Sequence, residues 1–215
     1  MNGFSEIIGN ELIKEHMYKA IQEVKPYHAY ILQGETGTGK KSMAVAFSAG
    51  LQCTCEEERP CEVCVSCRQI KANCHPDVIW ITKEKSGYGV EEIRNQLNKV
   101  VYMKPFSSRY KIFLITEAET MTEAAQNALL KTIEEPPEYA VIILMTNNIN
   151  RLLPTVRSRC MNLEFGPITT SAIEEYLLKH YPISEDLAKT SAIFAQGNLG
   201  KAIRYASSGD FIEKK

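Results

Sequence analysis

Short, almost unbroken apolar runs recur along the chain, separated by segments with helical spacing. HAYILQG (28–34), DVIWIT (77–82), KIFLIT (111–116) and AVIILMT (140–146) each read as a strand covered on both faces. Between them, KSMAVAFSAGL (41–51) has helical character. VEEIRNQLNKVVY (90–102) sets Val90, Ile93, Leu97 and Val101 on one helical face, with Pro105 just beyond its end. Thr120 and Glu123 have the spacing of a capping box that opens TEAAQNALLKTIEE, which stops at Pro136-Pro137. Strands alternating with helices predict right-handed crossovers and a parallel α/β sheet over residues 1–165. After about Gly166 the pattern changes. SAIEEYLLKHY, EDLAKTSAIFAQG and KAIRYASSG read as helices and predict a small helical domain over 166–215.

Composition narrows the function classes. The 215 residues carry a net charge of -1, so no global field draws the chain to nucleic acid or to a membrane surface. No apolar run approaches a membrane span, and the N-terminal MNGFSEIIGNELIKEH lacks a secretory apolar region, so a cytoplasmic location is expected.

The segment GETGTGK (34–40) follows a predicted strand and precedes a predicted helix, the setting of a phosphate-binding loop. Gly34, Gly37 and Gly39 allow the backbone to curl around an anion, and Lys40 supplies a point charge. The next residue should carry a hydroxyl for magnesium, but it is Lys41. Ser42 comes one residue late, about 100° around the helix. The strand that should end in an acidic pair ends instead in Thr116, Glu117 and Ala118. Glu117 can stand in for the metal-assisting acid, Ala118 can activate no water, and Glu119 is expected to face elsewhere. Both halves of the site are thus defective for metal-assisted hydrolysis. Whether ATP still binds through the backbone and Lys40 stays open.

Six of the seven cysteines lie between Cys53 and Cys74. An odd, clustered set without a signal peptide points to a metal rather than to disulfides. Cys53, Cys61, Cys64 and Cys67 form the expected tetrahedral, structural zinc site, with Cys55 as rival to Cys53 and Cys74 or His75 further out. An iron–sulfur centre or unmetallated thiols are the alternatives. Cys160 reads as a small buried apolar residue. Asn147 and Asn148 end the fourth strand, where open sheets place ligands, and Asn147 could sense a γ-phosphate. Arg151, Arg157 and Arg159 make a local positive cluster, and an arginine here could reach a neighbouring subunit's nucleotide as a finger in trans.

Taken together, the Gly34 loop, the Cys53–Cys67 cluster, HPDVIWI, VEEIRNQL, NALLKTIEEPP and the Ser158-Arg159-Cys160 triplet resemble the clamp-loader subunits of bacterial DNA polymerase III, members of the AAA+ superfamily. The resemblance runs from about Phe4 to Ala206. It implies an AAA+ phosphate-loop domain with an inserted zinc module at about 53–67 and a small helical lid. In the tau/gamma ATPases of this family the loop continues with Thr, the acid strand carries Asp-Glu, and the lid supplies an arginine where this chain has Gly200. Lys41, Ala118 and Gly200 therefore place the chain with the delta-prime kind, which has no ATPase of its own. A divergent ATP-hydrolysing tau/gamma-type subunit is the alternative. The resemblance further implies tau/gamma and delta subunits as partners, with the sliding clamp and primed DNA reached through the assembly and no membrane involved. Arg159 would complete a neighbour's ATP site. The family's C-terminal collar domain would begin where this chain ends, so weak self-association at most is expected.

Overall fold

The structure is a computed structural model that describes residue 4 and residues 6–55, 58–84 and 86–207; part of the third predicted C-terminal helix, KAIRYASSG, falls outside them. Five parallel strands form one sheet in the order β2-β3-β4-β1-β5. They are β1 (Ala29–Gln33), β2 (Val78–Trp80), β3 (Lys111–Ile115), β4 (Ala140–Thr146) and β5 (Met161–Glu164). The three central strands are almost wholly buried, which accounts for their unbroken apolar sequences. β5 lies at one edge and alternates between half-buried and exposed positions, so only part of it reads as apolar.

Alternate residues of each strand enter different cores. Tyr30, Leu32, Ile112, Leu114, Val141 and Ile143 pack against α1 (Glu11–Gln22) and α2 (Lys40–Gln52), through Met17, Ile21, Met43 and Phe47. Ile31, Phe113, Ile115, Ile142 and Leu144 face Ile93 and Leu97 beyond them, and Leu129 and Ile133 of α5 (Glu123–Glu134). α1 was not anticipated, although Ile13, Met17 and Ile21 recur every fourth residue along it.

Three sequence expectations are corrected. The segment from Val90 is α-helical only to Ile93 (α4), widens into a π turn over Arg94–Asn98, and ends in turns. Ile93, Leu97 and Val101 remain buried, so the apolar stripe survives the change of helix type. The N-cap of α5 is Thr122, not Thr120: its side chain accepts the Ala125 N–H at 3.2 Å. The Thr120 hydroxyl instead donates to the Glu117 carbonyl, within a 3-10 turn over Ala118–Thr120. DVIWIT forms regular strand only at its centre, Val78–Trp80.

The remaining helices are α3 (Val65–Lys71) beside the cysteines, the short α6 (Pro154–Arg157), and α7 (Thr170–His180), α8 (Glu185–Phe194) and α9 (Leu199–Ser207). The last three enclose a core of Ile168, Ile173, Leu177, Ala188, Ala192 and Ala202. Alanines at the contacts let these short helices approach closely. Among the described residues no helix is long and apolar enough to cross a membrane.

Candidate nucleotide site, cysteine cluster and arginine edge

The glycine loop joins β1 to α2 at the carboxyl end of the sheet. Gly34, Gly37 and Gly39 all have positive φ, at 155°, 95° and 93°. No side chain caps the N-terminus of α2, so its first amides are free to face an anion. A cavity of about 680 Å³ opens in front of the loop. Its polar wall includes Thr38, Lys40, Lys41, Thr116, Glu117, Glu119 and Asn147, and its apolar wall Ile7, Ile8, Ile168, Tyr176 and Ile203.

Inside this cavity the charged groups are engaged with the protein itself. The Lys40 ammonium donates to the Gly34 and Glu35 carbonyls, the latter at 2.7 Å. Burial lowers its pKa from the ordinary lysine value. Lys41 projects from the first turn of α2 over the Trp80 ring, 4.9 Å from its centroid. Glu117, the candidate metal-assisting acid, is paired with Lys83. That hydrogen bond raises the Lys83 pKa. Glu117 itself adopts a left-handed conformation with φ 49°, rare outside glycine, held by the Thr120 N–H and hydroxyl, each 2.8 Å from its carbonyl. Ala118 is fully buried. Glu119 does not face elsewhere as expected. The 3-10 turn returns it to the cavity wall, where its carboxylate accepts from the Thr146 hydroxyl at 2.8 Å and the Asn147 N–H at 3.3 Å.

The C-terminal helices close directly on the loop. The Gly200 N–H donates to the Gly37 carbonyl at 2.9 Å, and the Asn198 amide donates to the Thr36 carbonyl at 3.0 Å and to Glu35 at 3.2 Å. Lys201 pairs with Glu35 at 2.8 Å. The two glycines make this approach possible. A Cβ on Gly200 would lie 2.6 Å from the Gly37 Cα, and one on Gly37 would lie 3.1 Å from the Gly200 Cα. Lys83, Asn198, Lys201 and Glu35 were not singled out from the sequence. Their partners lie 34 to 166 residues away, and no spacing marks them.

The cysteine cluster follows α2. The Sγ atoms of Cys53, Cys61, Cys64 and Cys67 all lie within 4.8 Å of one another. Tetrahedral zinc–thiolate geometry separates sulfurs by about 3.8 Å, so a small contraction would hold a metal such as zinc. Backbone N–H groups already point at the sulfurs: Cys61 to Cys53 at 3.4 Å, Cys64 to Cys61 at 3.3 Å and Cys67 to Cys64 at 3.4 Å. Such donors favour thiolates. At Cys64 burial pushes the thiol pKa up, but hydrogen bonds from Thr54 and Cys67 outweigh it and bring it down to about 6. Cys55 and His75 stand outside the four-sulfur group, and Cys74 is exposed. Cys160 is half-buried against the α5 side of the core. Burial raises its pKa to about 12.

The three arginines do not converge. Arg151 borders a hollow with Glu119 and Thr122 at the carboxyl end of the sheet. Arg159 lies two residues before β5, whose Met161 pairs in register with Tyr30 at the start of β1. It therefore sits at the amino end of the sheet. β1 spans five residues, about 16 Å, so its own glycine loop lies a strand's length away. The Arg159 guanidinium pairs with Glu134 at 2.9 Å and donates to the Thr155 carbonyl at 3.0 Å. Arg157 is exposed at the end of α6.

A sequence profile described as "DNA polymerase III, delta subunit" matches residues 9–169. DNA polymerase III subunit tau of Bacillus subtilis (strain 168) is 37% identical over 171 residues, covering 79% of this chain and 30% of that protein. DNA polymerase III subunit delta' of the same organism is 30% identical over 210 residues, covering 96% of this chain and 63% of that protein. The chain thus spans less than two-thirds of either relative. In fold it is similar to a DNA polymerase III gamma subunit-related protein of Thermotoga maritima, with a TM-score of 0.62 at 21% identity over 88% of this chain and 57% of that one. It is equally similar to the RuvB Holliday junction branch migration motor of the same organism, at 0.62 and 18% identity over 93% and 61%. At those identities the structural likeness speaks for the fold alone. With the profile covering most of its length and delta' aligned along nearly all of it, the chain belongs to the DNA polymerase III clamp-loader subunit family that includes delta', tau and gamma.

Proposed function

We propose that this chain is a clamp-loader subunit of the delta-prime kind, without ATP hydrolysis of its own, that helps load the sliding clamp onto primed DNA beside tau/gamma and delta subunits. The observation that carries this reading is the missing magnesium-binding hydroxyl. Lys41 stands where the metal-binding hydroxyl should be, Glu117 after β3 is already paired with Lys83, and Glu119 is held by Thr146 and Asn147. Buried Ala118 and the tight Gly200–Gly37 contact support it, since neither offers the acid or the arginine that hydrolysis uses.

Arg159 is the residue assigned to act in trans. Its place at the amino end of the sheet keeps it from its own loop and suits contact with a second subunit. The Glu134 pair would then hold the side chain outward until it exchanges one anion for another, a neighbour's phosphate. The cysteine cluster is assigned one structural zinc held by Cys53, Cys61, Cys64 and Cys67. Four thiolates leave no open coordination position, so the metal would fold the 53–67 module rather than do chemistry.

The higher identity to tau, 37% against 30%, favours the second reading, an ATP-hydrolysing subunit. ATP turnover separates the two. The isolated chain should not hydrolyse ATP. In a loader reconstituted with ATPase and delta subunits, Arg159→Ala should lower turnover by about 10³-fold at the affected site. Turnover by the isolated chain would establish the second reading, and unchanged turnover in the complex would remove Arg159 from its role.

A further inference from the structure

Three cysteines stand outside the four-sulfur group, and their surroundings differ. Cys74 is exposed, and Cys160 packs with the core on the α5 side. Cys55 packs against the small core of Ala49, Cys53, Cys67 and Ile70, beside Cys61 and Cys64. We propose that Cys55 is a resolving thiol, which forms a disulfide with Cys61 when hydrogen peroxide oxidises the cluster and so withdraws one of the four sulfurs from the metal site. The metal consequence rests on the zinc reading above, and the disulfide itself does not.

Contact is the first observation. The Cys55 thiol interacts above all with the Cys61 sulfur, and after it with that of Cys53. The backbone draws the pair together. The Arg59 Nε donates to the Cys55 carbonyl at 2.6 Å, which turns the chain back just before Cys61, and the Cys61 N–H points at the Cys53 sulfur at 3.4 Å.

Access is the second. Cys53 and Cys67 are buried, whereas Cys55 and Cys61 are half-buried. A small neutral oxidant therefore meets the outer pair before the inner one. Cys64 is half-buried too, but its sulfur is engaged by Thr54 and Cys67. The Cys64 N–H donates to the Cys61 sulfur at 3.3 Å, which favours the thiolate, the form that attacks a peroxide.

The chemistry balances with one peroxide. The Cys61 thiolate attacks one peroxide oxygen, the O–O bond breaks, and the hydroxide released takes a proton to leave as water. Cys61 is then a sulfenic acid. The Cys55 thiol attacks that sulfur. The S–S bond forms, the S–O bond breaks, and the Cys55 proton leaves with the hydroxyl as a second water. The two sulfurs give up two electrons, which reduce the peroxide. Cys53, Cys64 and Cys67 remain, one short of a closed tetrahedral site. A dithiol returns both sulfurs to the thiol state.

The test is titration of the freshly purified chain with hydrogen peroxide. Zinc release is read with a chromogenic chelator, and cysteine pairing by peptide mass mapping after free thiols are alkylated. A single Cys55–Cys61 disulfide should appear as about one zinc per chain is lost, and dithiothreitol with added zinc should restore the metal in full. In Cys55→Ser, and equally in Cys55→Ala, Cys61 has no partner. Its sulfenic acid should be trapped by dimedone. Excess peroxide should carry it to the sulfinic acid, a gain of two oxygens that dithiothreitol does not reverse, so that less than about a tenth of the metal returns. No disulfide, a disulfide joining Cys61 to another cysteine, or full recovery of metal in the Cys55 variants would each overturn the proposal. The map is decisive with or without metal: a chain that carries no zinc yet forms Cys55–Cys61 upholds the disulfide and overturns the zinc reading alone.

Discussion

Replacing Gly200 by alanine sets two effects of known sign against each other. Within a helix, alanine is favoured over glycine by up to about 1 kcal/mol, and by less in the first turn, where Gly200 sits. Against this, the new Cβ would meet the Gly37 Cα at 2.6 Å and its carbonyl oxygen at 3.1 Å. Carbon atoms rest about 3.5–4.0 Å apart. Both obstacles are backbone, so no side chain can swing aside and α9 must withdraw. Overpacking of this kind typically costs about 1–3 kcal/mol. Withdrawal also lengthens the Gly200 N–H bond to Gly37 and the Asn198 bond to Thr36, each contributing about 1 kcal/mol. The exposed Lys201–Glu35 pair adds little. The contact therefore wins, and Gly200→Ala should destabilise by about 1–3 kcal/mol, or about 2–12 °C in Tm for a chain of this size. Amide exchange should quicken in α9 while β1 and β4 keep their protection. A Tm that rises, as propensity alone predicts, would refute the backbone contact between the loop and the C-terminal helices.

Two further perturbations test other parts of the molecule. Asp77 is buried and accepts the Phe106 N–H at 2.6 Å, the Ser107 N–H at 2.8 Å, and the Ser107 and Ser108 hydroxyls at 3.2 and 2.8 Å. Asp77→Ala should cost about 2–3 kcal/mol at neutral pH, read as a Tm lowered by about 4–12 °C. Burial pushes this carboxyl's pKa up, but the four hydrogen bonds outweigh it, so the folded pKa is depressed. A depressed pKa gives stability that is complete above the ordinary value of about 4 and disappears as pH falls through the folded value. The Tm gap to Asp77→Ala should therefore narrow in acid, and a gap independent of pH would refute the assignment. For the cysteine cluster, elemental analysis should find about one zinc per chain, lost in Cys53→Ser and Cys64→Ser but kept in Cys55→Ser. Protein purified without chelator that holds none would remove the site.

How much of this was legible beforehand follows from how far apart the interacting residues lie in sequence. β1, β3 and β4 announced themselves because both their faces are buried and nothing interrupts the apolar run. β2 is half-buried and short, and β5 alternates at the edge, so their signals were weaker. The four cysteines lie within one local segment, where spacing alone brings their sulfurs together. The capping of α5 was off by one turn residue pair because Thr120 and Thr122 both offer hydroxyls, and only the 3-10 turn decides between them. The same turn carried Glu119 back to β4, against expectation. Lys83–Glu117 and Gly200–Gly37 depend on tertiary folding, and no local pattern contains them. That Arg159 and the glycine loop occupy opposite ends of the sheet follows only from the parallel register of β5 on β1.

A single substitution tests whether the proposed absence of hydrolysis rests on one residue or on several. Lys41→Thr returns the hydroxyl that a magnesium ion needs, at the position where the loop should supply it. Three obstacles remain. Glu117 is still paired with Lys83, Ala118 is still buried and carries no acid, and Gly200 still brings backbone rather than a cation to the loop. Residues that act as one unit do not contribute additively, so repairing one of several defects restores almost nothing. ATP turnover by Lys41→Thr should be indistinguishable from that of the wild type, and turnover near an ordinary enzymatic rate, about 1 s⁻¹ or more, would refute the view that the defects are jointly sufficient. The variant should nevertheless fold as well as the parent, since position 41 is exposed. What cannot change is the helix beneath it. Met43, Ala44, Phe47 and Leu51 of α2 pack with Tyr30 and Leu32 in one core, and the glycine loop is the chain's route from β1 into that helix. On the non-hydrolysing reading proposed above, this packing requirement stays intact, which is reason enough for Gly34, Gly37 and Gly39 to stand beside Lys41 and Ala118.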